Sequence, residues 1–156
     1  YNVTAEFAAA NGLESIADLA GIDGLILGGS PELEERPYGP MGLLETYGVT
    51  VAFDATGDVT VEALREGLIN VANVYSGDPR IADFALVTLA DPRGLFLASN
   101  VVPIAASDIA DELAVIIDPI SKALTPAGLV ALNLLSTKDQ ISPADIAAQW
   151  LSDNGF

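Results

Sequence analysis

Residues 25–53, LILGGSPELEERPYGPMGLLETYGVTVAF, decide the fold. The apolar run 25–27 is short enough for a buried strand and breaks at Gly28-Gly29-Ser30. Pro31 suits the first position of a helix reaching Arg36, and Gly48 suits the stop of a second helix over 39–47. Val49, Val51 and Phe53 then alternate with smaller or polar residues as a half-buried strand does. Strand, helices and strand in that order describe a crossover between parallel strands.

Working outward, the same grammar recurs. Residues 1–3 end a strand, Thr4 caps a helix through Ala10, and Asn11-Gly12 stops it. Ser15 and Asp18 form a capping box ahead of a short helix that ends at Gly21. Residues 60–67 read as a helix with Val61, Leu64 and Leu68 on one face, followed by strands at 69–75 and 84–89. The sum is an α/β layer on a mostly parallel sheet. After Pro92 the pattern changes, for a last strand at 100–105 leads into three helices. Ile109, Leu113, Ile116, Ile117, Ile120 and Leu124 give the first an apolar face. Thr125-Pro126 and Ser142-Pro143 open the other two, and Trp150 is expected in the core.

Composition narrows the chemistry. The chain has 156 residues, 22 acidic and 6 basic side chains, no histidine and no cysteine. Disulfides, thiolate nucleophiles, sulfur-ligated metals and His-assisted nucleophiles are excluded. A net charge of -16 repels a phosphate backbone, so nucleic acid is not an expected partner. With 51% hydrophobic residues the chain can build a core. No run of about 18 apolar residues is present. Glu32, Glu34 and Glu35 sit in the first turns of a helix, where its dipole and solvation account for them better than paired acid–base catalysis does. The Gly28-Gly29-Ser30 turn offers amides to an anion but lacks a phosphate-loop lysine, and capping explains Ser30 as well.

Two residues stand out. Arg36 lies where a helix gives way to Pro37-Tyr38-Gly39 and suits either a bidentate grip on a carboxylate or a surface ion pair with Glu34 or Glu35. Tyr75 follows an apolar strand and precedes Ser76-Gly77-Asp78-Pro79, at the strand end where open α/β sheets bind ligands. It suits stacking or a cation–π contact, and equally packing of the strand end.

Five segments in order resemble the substrate-binding proteins of glycine betaine, carnitine and choline ABC importers: LESIADLA (13–20), LEERPYGPMGLLETYG (33–48), VANVYSGDPRI (71–81), LFLASNVVPIA (95–105), and Leu132-Asn133 followed by DIAAQWLSDNGF (145–156). The resemblance implies a type II periplasmic-binding-protein-like α/β lobe over residues 1–99 and, over 100–156, the returning C-terminal helical part of the other lobe, whose N-terminal half has no counterpart here. It implies no catalysis, cofactor or metal. The partners would be a small solute and ABC permease subunits, outside the cytoplasm in a periplasm or on a cell-surface lipoprotein. Self-association is expected if the helices lack their cover. The ligand-binding residues implied are Arg36, on the family's carboxylate-gripping arginine; Tyr75, on a tyrosine of its aromatic box; Tyr1, near another; and Ser99 with Asn100. Ser99 stands where many members place a tyrosine, and Gly77 replaces a threonine. A box lacking one wall implies weaker selection for quaternary ammonium groups and a more polar or aromatic solute. Effector-sensing domains of transcription regulators share the architecture, but the tail at 145–156 resembles the importer proteins.

Overall fold

The structure is a computed structural model and describes residues 1–97 and 101–156. Strand β2 (Ile26–Gly28) pairs in parallel with β3 (Ala52–Asp54), and between them lie a 3-10 turn, Pro31–Glu35, and helix α2 (Pro40–Tyr47). Pro40 opens α2, and Gly48, at φ 71°, closes it in a left-handed conformation that disfavours other residues. Strand β1 (Asn2–Val3) leads into α1 (Ala5–Asn11), capped by the Thr4 hydroxyl accepting from the Phe7 N–H and ended by Gly12. Next to β3 come α3 (Thr60–Arg65), β4 (Val71–Ala72), α4 (Arg80–Asp83) and β5 (Val87–Thr88).

The five-stranded sheet has the order β3-β2-β4-β1-β5. Strands β3, β2 and β4 are parallel, while β1 runs antiparallel to both β4 and β5. Because β1 opposes both neighbours, β5 points the same way as β2, and the sheet is parallel-rich. Alternate residues face opposite sides. Leu27 and Val71 join a core with Leu33, Leu43 and Val49; Ile26 and Ala72 face a second core with Val61, Leu64 and Ile69.

Several expectations need correction. The strands expected at 69–75 and 84–89 shrink to two residues each: β5 pairs only with β1, itself two residues long before the Thr4 cap of α1, and β4 pairs with β2 over two residues and with β1 at one. Asn70 also diverts its side chain to the Ile26 N–H (2.7 Å) and the Gly24 carbonyl (3.2 Å). Residues 80–83 are helical, and Ala85, at φ 49°, turns the chain ahead of β5. Leu68 is 62% exposed: α3 ends at Arg65, Gly67 turns left-handed, and Ile69 takes the buried place. Residues 101–105 form no strand, as Pro103 has no N–H for a ladder and no neighbour pairs there. Asn100 of that expected strand lies outside the described residues.

The chain divides into two compact units. The sheet unit holds Tyr1–Tyr75 and Arg80–Leu97; the helix unit holds Ser76–Pro79 and the C-terminal stretch. In the latter, α5 (Ala110–Ala123), α6 (Pro126–Thr137) and α7 (Pro143–Asp153) follow one another. Thr125 and Ser142 cap α6 and α7 by accepting the Gly128 and Asp145 N–H groups. Asn133 of α6 donates to the Gly77 carbonyl at 2.9 Å. Among the described residues of this unit Ile146 alone is buried. Trp150 is half-buried rather than core, stacked on Phe156 at 6.1 Å, because α6 and α7 leave an open cavity of about 300 Å³ beside it. No single helix among the described residues is long and apolar enough to cross a membrane.

Candidate functional site

Topology brings the predicted residues of the sheet unit to one end of the sheet. The parallel strands β2 and β4 release their chains there toward Arg36 and Tyr75. Antiparallel β1 begins there, at Tyr1, and β5 ends there before residues 89–97. Such an end presents loops without blocking strands, which is why open sheets bind ligands at it.

Close backbone approach shapes this end. A Cβ on Gly28 would collide with Ile69, and one on Gly29 would lie 2.5 Å from Leu33 Cδ2. A Cβ on Gly39 would strike the Leu33 carbonyl, and one on Gly42 the Pro37 carbonyl. The loop carrying Arg36, Pro37 and Tyr38 is thereby folded tightly onto the start of α2.

Arg36 follows the 3-10 turn, its N–H bonded to the Leu33 carbonyl at 3.1 Å. Its guanidinium is exposed and has no hydrogen bond or ion pair among the described residues, so the surface pair with Glu34 or Glu35 does not form. Tyr75 is 81% exposed and makes no ring contact among the described residues; it does not pack the strand end. Tyr1 is the reverse case, 6% exposed with its hydroxyl donating to the Tyr38 carbonyl. Burial, and next the neighbouring Tyr38, push that hydroxyl's pKa far up, so it stays a donor. The structure therefore joins Tyr1 to the Arg36 loop, while among the described residues no hydrogen bond or ring contact joins Tyr75 to either. The Asn2 amide reaches the Val74 carbonyl at 3.5 Å, tying the neighbours of Tyr1 and Tyr75. Ser99 and Asn100 lie outside the described residues.

Further residues complete this end. The Phe96 ring meets Tyr1 edge-on at 4.8 Å and Tyr38 at 5.1 Å, giving an aromatic cluster beside Arg36. Behind it, Asp91 accepts from the Tyr47 hydroxyl and from the Leu95 and Phe96 N–H groups at 3.0 and 2.7 Å. Burial pushes the Asp91 carboxyl up, but Tyr47 and the Phe96, Leu95 and Gly94 amides outweigh it and hold the pKa below its ordinary value. Tyr47 shifts upward through burial first and its bond to Asp91 second. Tyr38 and Phe96 lie inside the quoted segments, yet nothing local marks them as partners. Asp91 had one available signal, the Asp-Pro-Arg-Gly turn that it opens. Among the described residues no cluster of acidic side chains could hold a metal.

The arrangement offers a free guanidinium for a carboxylate, an exposed ring for stacking or a cation, and a fixed aromatic cluster. Among the described residues it pairs no nucleophile with a base.

A family model for the substrate-binding domain of ABC-type glycine betaine transport systems matches residues 1–153. A glycine-betaine-binding protein of Pseudomonas aeruginosa is 26% identical over 160 residues, covering 92% of this chain and 51% of that protein. The crystal structure of a glycine betaine/carnitine/choline ABC transporter protein is similar with a TM-score of 0.79 and 26% identity, over 99% of this chain and 58% of that one. Apo YehZ from Escherichia coli is similar with a TM-score of 0.63 and 25% identity, over 99% and 60%. The chain spans about half the length of the curated relative it matches.

Proposed function

This chain belongs to the family of substrate-binding domains of ABC-type glycine betaine transport systems, and from that membership we propose that it captures a small solute for an importer at the sheet end that carries Arg36 and Tyr75. Its parallel-rich α/β fold is that of periplasmic-binding-protein-like structures, and its relatives are substrate-binding proteins of transporters rather than enzymes.

In this reading residues 1–99 are the second lobe of a two-lobed clamp and 100–156 the returning part of the first. The whole protein closes on its solute outside the cytoplasm and hands it to permease subunits. Arg36 grips a carboxylate or another acceptor, and Tyr75 supplies a ring against an aromatic or cationic group. Tyr1, Tyr38 and Phe96 form the floor; Ser99 and Asn100 are the further ligand-binding residues that the family resemblance implies. With serine at position 99 in place of the tyrosine of many relatives, one ring against a methylated ammonium is missing, so the preferred solute is more polar or aromatic than glycine betaine.

One observation carries the reading: an unpaired guanidinium and an exposed tyrosine ring emerge at the end of the sheet where neighbouring parallel strands finish. Such groups stay free of internal partners when a ligand is to take them.

Calorimetric titration of the protein with glycine betaine, choline, carnitine and a panel of aromatic carboxylates tests it. A carboxylate-bearing solute should bind, Arg36→Ala should weaken it about tenfold or more, and Tyr75→Ala should weaken it several-fold, roughly the effect of one lost cation–π or stacking wall. Tight betaine binding that survives Tyr75→Ala would overturn the assignment.

A further inference from the structure

We propose that Asp91 is the positioning residue of this site, one carboxylate fastening the segment that carries Phe96 onto the helix that follows Arg36 and Tyr38. The proposal rests on the reading of this sheet end as the solute site.

Residues 91–96 lie along α2 from its last turn to its first. At the last turn the Asp91 carboxylate takes the Tyr47 hydroxyl, and that hydroxyl in turn accepts the Arg93 N–H at 2.8 Å. The Arg93 guanidinium donates to the Thr46 carbonyl at 2.6 Å and lies 5.2 Å from the Tyr47 ring centroid. Midway, Leu95 packs where α2 has Gly42: a Cβ there would lie 3.0 Å from Leu95 Cδ1. At the first turn the Phe96 ring meets Tyr38, the residue before Gly39 and Pro40 open the helix.

An acid that merely shaped its own turn would bond only the amides just after it. Asp91 does that for Leu95 and Phe96, but it also grips a side chain 44 positions away. The segment that carries Phe96 and the helix that follows the Arg36 loop are therefore referred to one group. Tyr47 and the Leu95 N–H share one carboxylate oxygen while the Phe96 N–H takes the other, so an amide, with one oxygen and one NH₂, leaves one of the two sides without its acceptor. The segment is then freed at its anchor while the sheet behind it stays intact.

The test uses Asp91→Asn and Tyr47→Phe in the protein, with glycine betaine and choline as probes and NMR contacts between the Phe96 ring and the Tyr1 and Tyr38 rings as a ligand-free readout. Well below its melting temperature Asp91→Asn should keep its far-ultraviolet circular dichroism, weaken those ring contacts and lower probe affinity about tenfold, the usual effect of losing a hydrogen bond to a charged group. Tyr47→Phe, which keeps the amide bonds, should weaken the same contacts and lower affinity about threefold. A lower melting temperature with unchanged ring contacts and affinity would make Asp91 a stabilising group only and overturn the proposal. Should Asp91→Asn fail to fold, Tyr47→Phe decides by the same two readouts. Should neither these probes nor the panel of aromatic carboxylates bind the unaltered protein, the solute reading fails, while the ring contacts still decide whether Asp91 holds this end in place.

Discussion

Leu27 and Leu132 are the same side chain in two different situations. Leu27, in the central strand β2, is fully buried against both neighbouring strands and the helix beside them. Leu132, in α6, lines an open cavity with Ile141, Ile146 and Trp150. The contrast extends to whole units. The sheet unit buries Val3, Ile16, Leu19, Leu33 and Leu43 completely or nearly so, whereas Val115 and Ile116 on α5 are 76% and 64% exposed. Both units have well-formed ends to their helices, with hydroxyl caps at Thr4, Thr125 and Ser142. Local signals thus suffice to make helices, and only non-local pairing makes a core. Among its described residues the helix unit has the first with little of the second.

That contrast breaks most easily at the two leucines. Leu27→Ala should cost about 2–5 kcal/mol, since it leaves a cavity among strands that cannot collapse onto it. Leu132→Ala should cost under about 1 kcal/mol, because the removed methyl groups already border open space. Urea unfolding followed by far-ultraviolet circular dichroism measures both. Equal losses would mean that the helix unit is packed as tightly as the sheet unit.

A smaller effect comes from the Arg36 loop. Gly39→Ala places a methyl group against the Leu33 carbonyl, which belongs to a rigid turn and cannot step aside as a flexible side chain would. The loss should be about 1–3 kcal/mol, with the Arg36 loop displaced from α2. Gly77→Ala offers the counterpart in the helix unit, where the nearest atom to the new methyl group is 3.6 Å away and no clash arises. Chemical denaturation of the pair should separate them clearly, and a neutral Gly39→Ala would show that the loop is not held by close approach.

Caps sharpen the comparison further. Thr4→Ala and Ser142→Ala each remove one hydroxyl from a helix start, worth about 0.5–2 kcal/mol in either unit. In the sheet unit the loss should lower global stability. In the helix unit it should appear as faster amide exchange confined to α7, because few buried contacts couple that helix to the rest. Uniform protection changes in Ser142→Ala would argue for a coupling that the burial pattern does not contain.

The same division explains what was legible in the sequence. Caps and stops were readable at Thr4, Gly12, Ser15 with Asp18, Pro31, Gly48, Thr125 and Ser142, since each acts within a few residues of itself. Strand lengths at 69–75 and 84–89 were not, because they depend on pairing with β1 and β2, far earlier in the chain. The reversed direction of β1 is likewise a property of pairing and leaves no local trace. At the candidate site, Arg36 and Tyr75 were marked by their places beside turns. Tyr38, Phe96 and Asp91 were not singled out, since their importance comes from partners far along the chain.

The smallest effect concerns pH. The Asp91 carboxyl has a pKa below its ordinary value of about 3.9 in the folded chain, so unfolding is accompanied by easier protonation of that group. Its stabilising contribution is accordingly complete above the unfolded value and is lost as pH falls through the lower, folded one. The other carboxylates are the same in the unaltered chain and the variant. The informative quantity is therefore the stability difference between the unaltered chain and Asp91→Asn. It should be constant from neutral pH down to about pH 5 and should shrink below about pH 4, because protonation makes the native carboxyl resemble the neutral amide. Denaturant midpoints measured at intervals across that range give the curve directly. A difference that grows toward low pH would require the carboxyl to be easier to protonate in the folded state. The Tyr47 hydroxyl and the Leu95 and Phe96 amides would then not be its donors, and the segment along α2 would need another anchor.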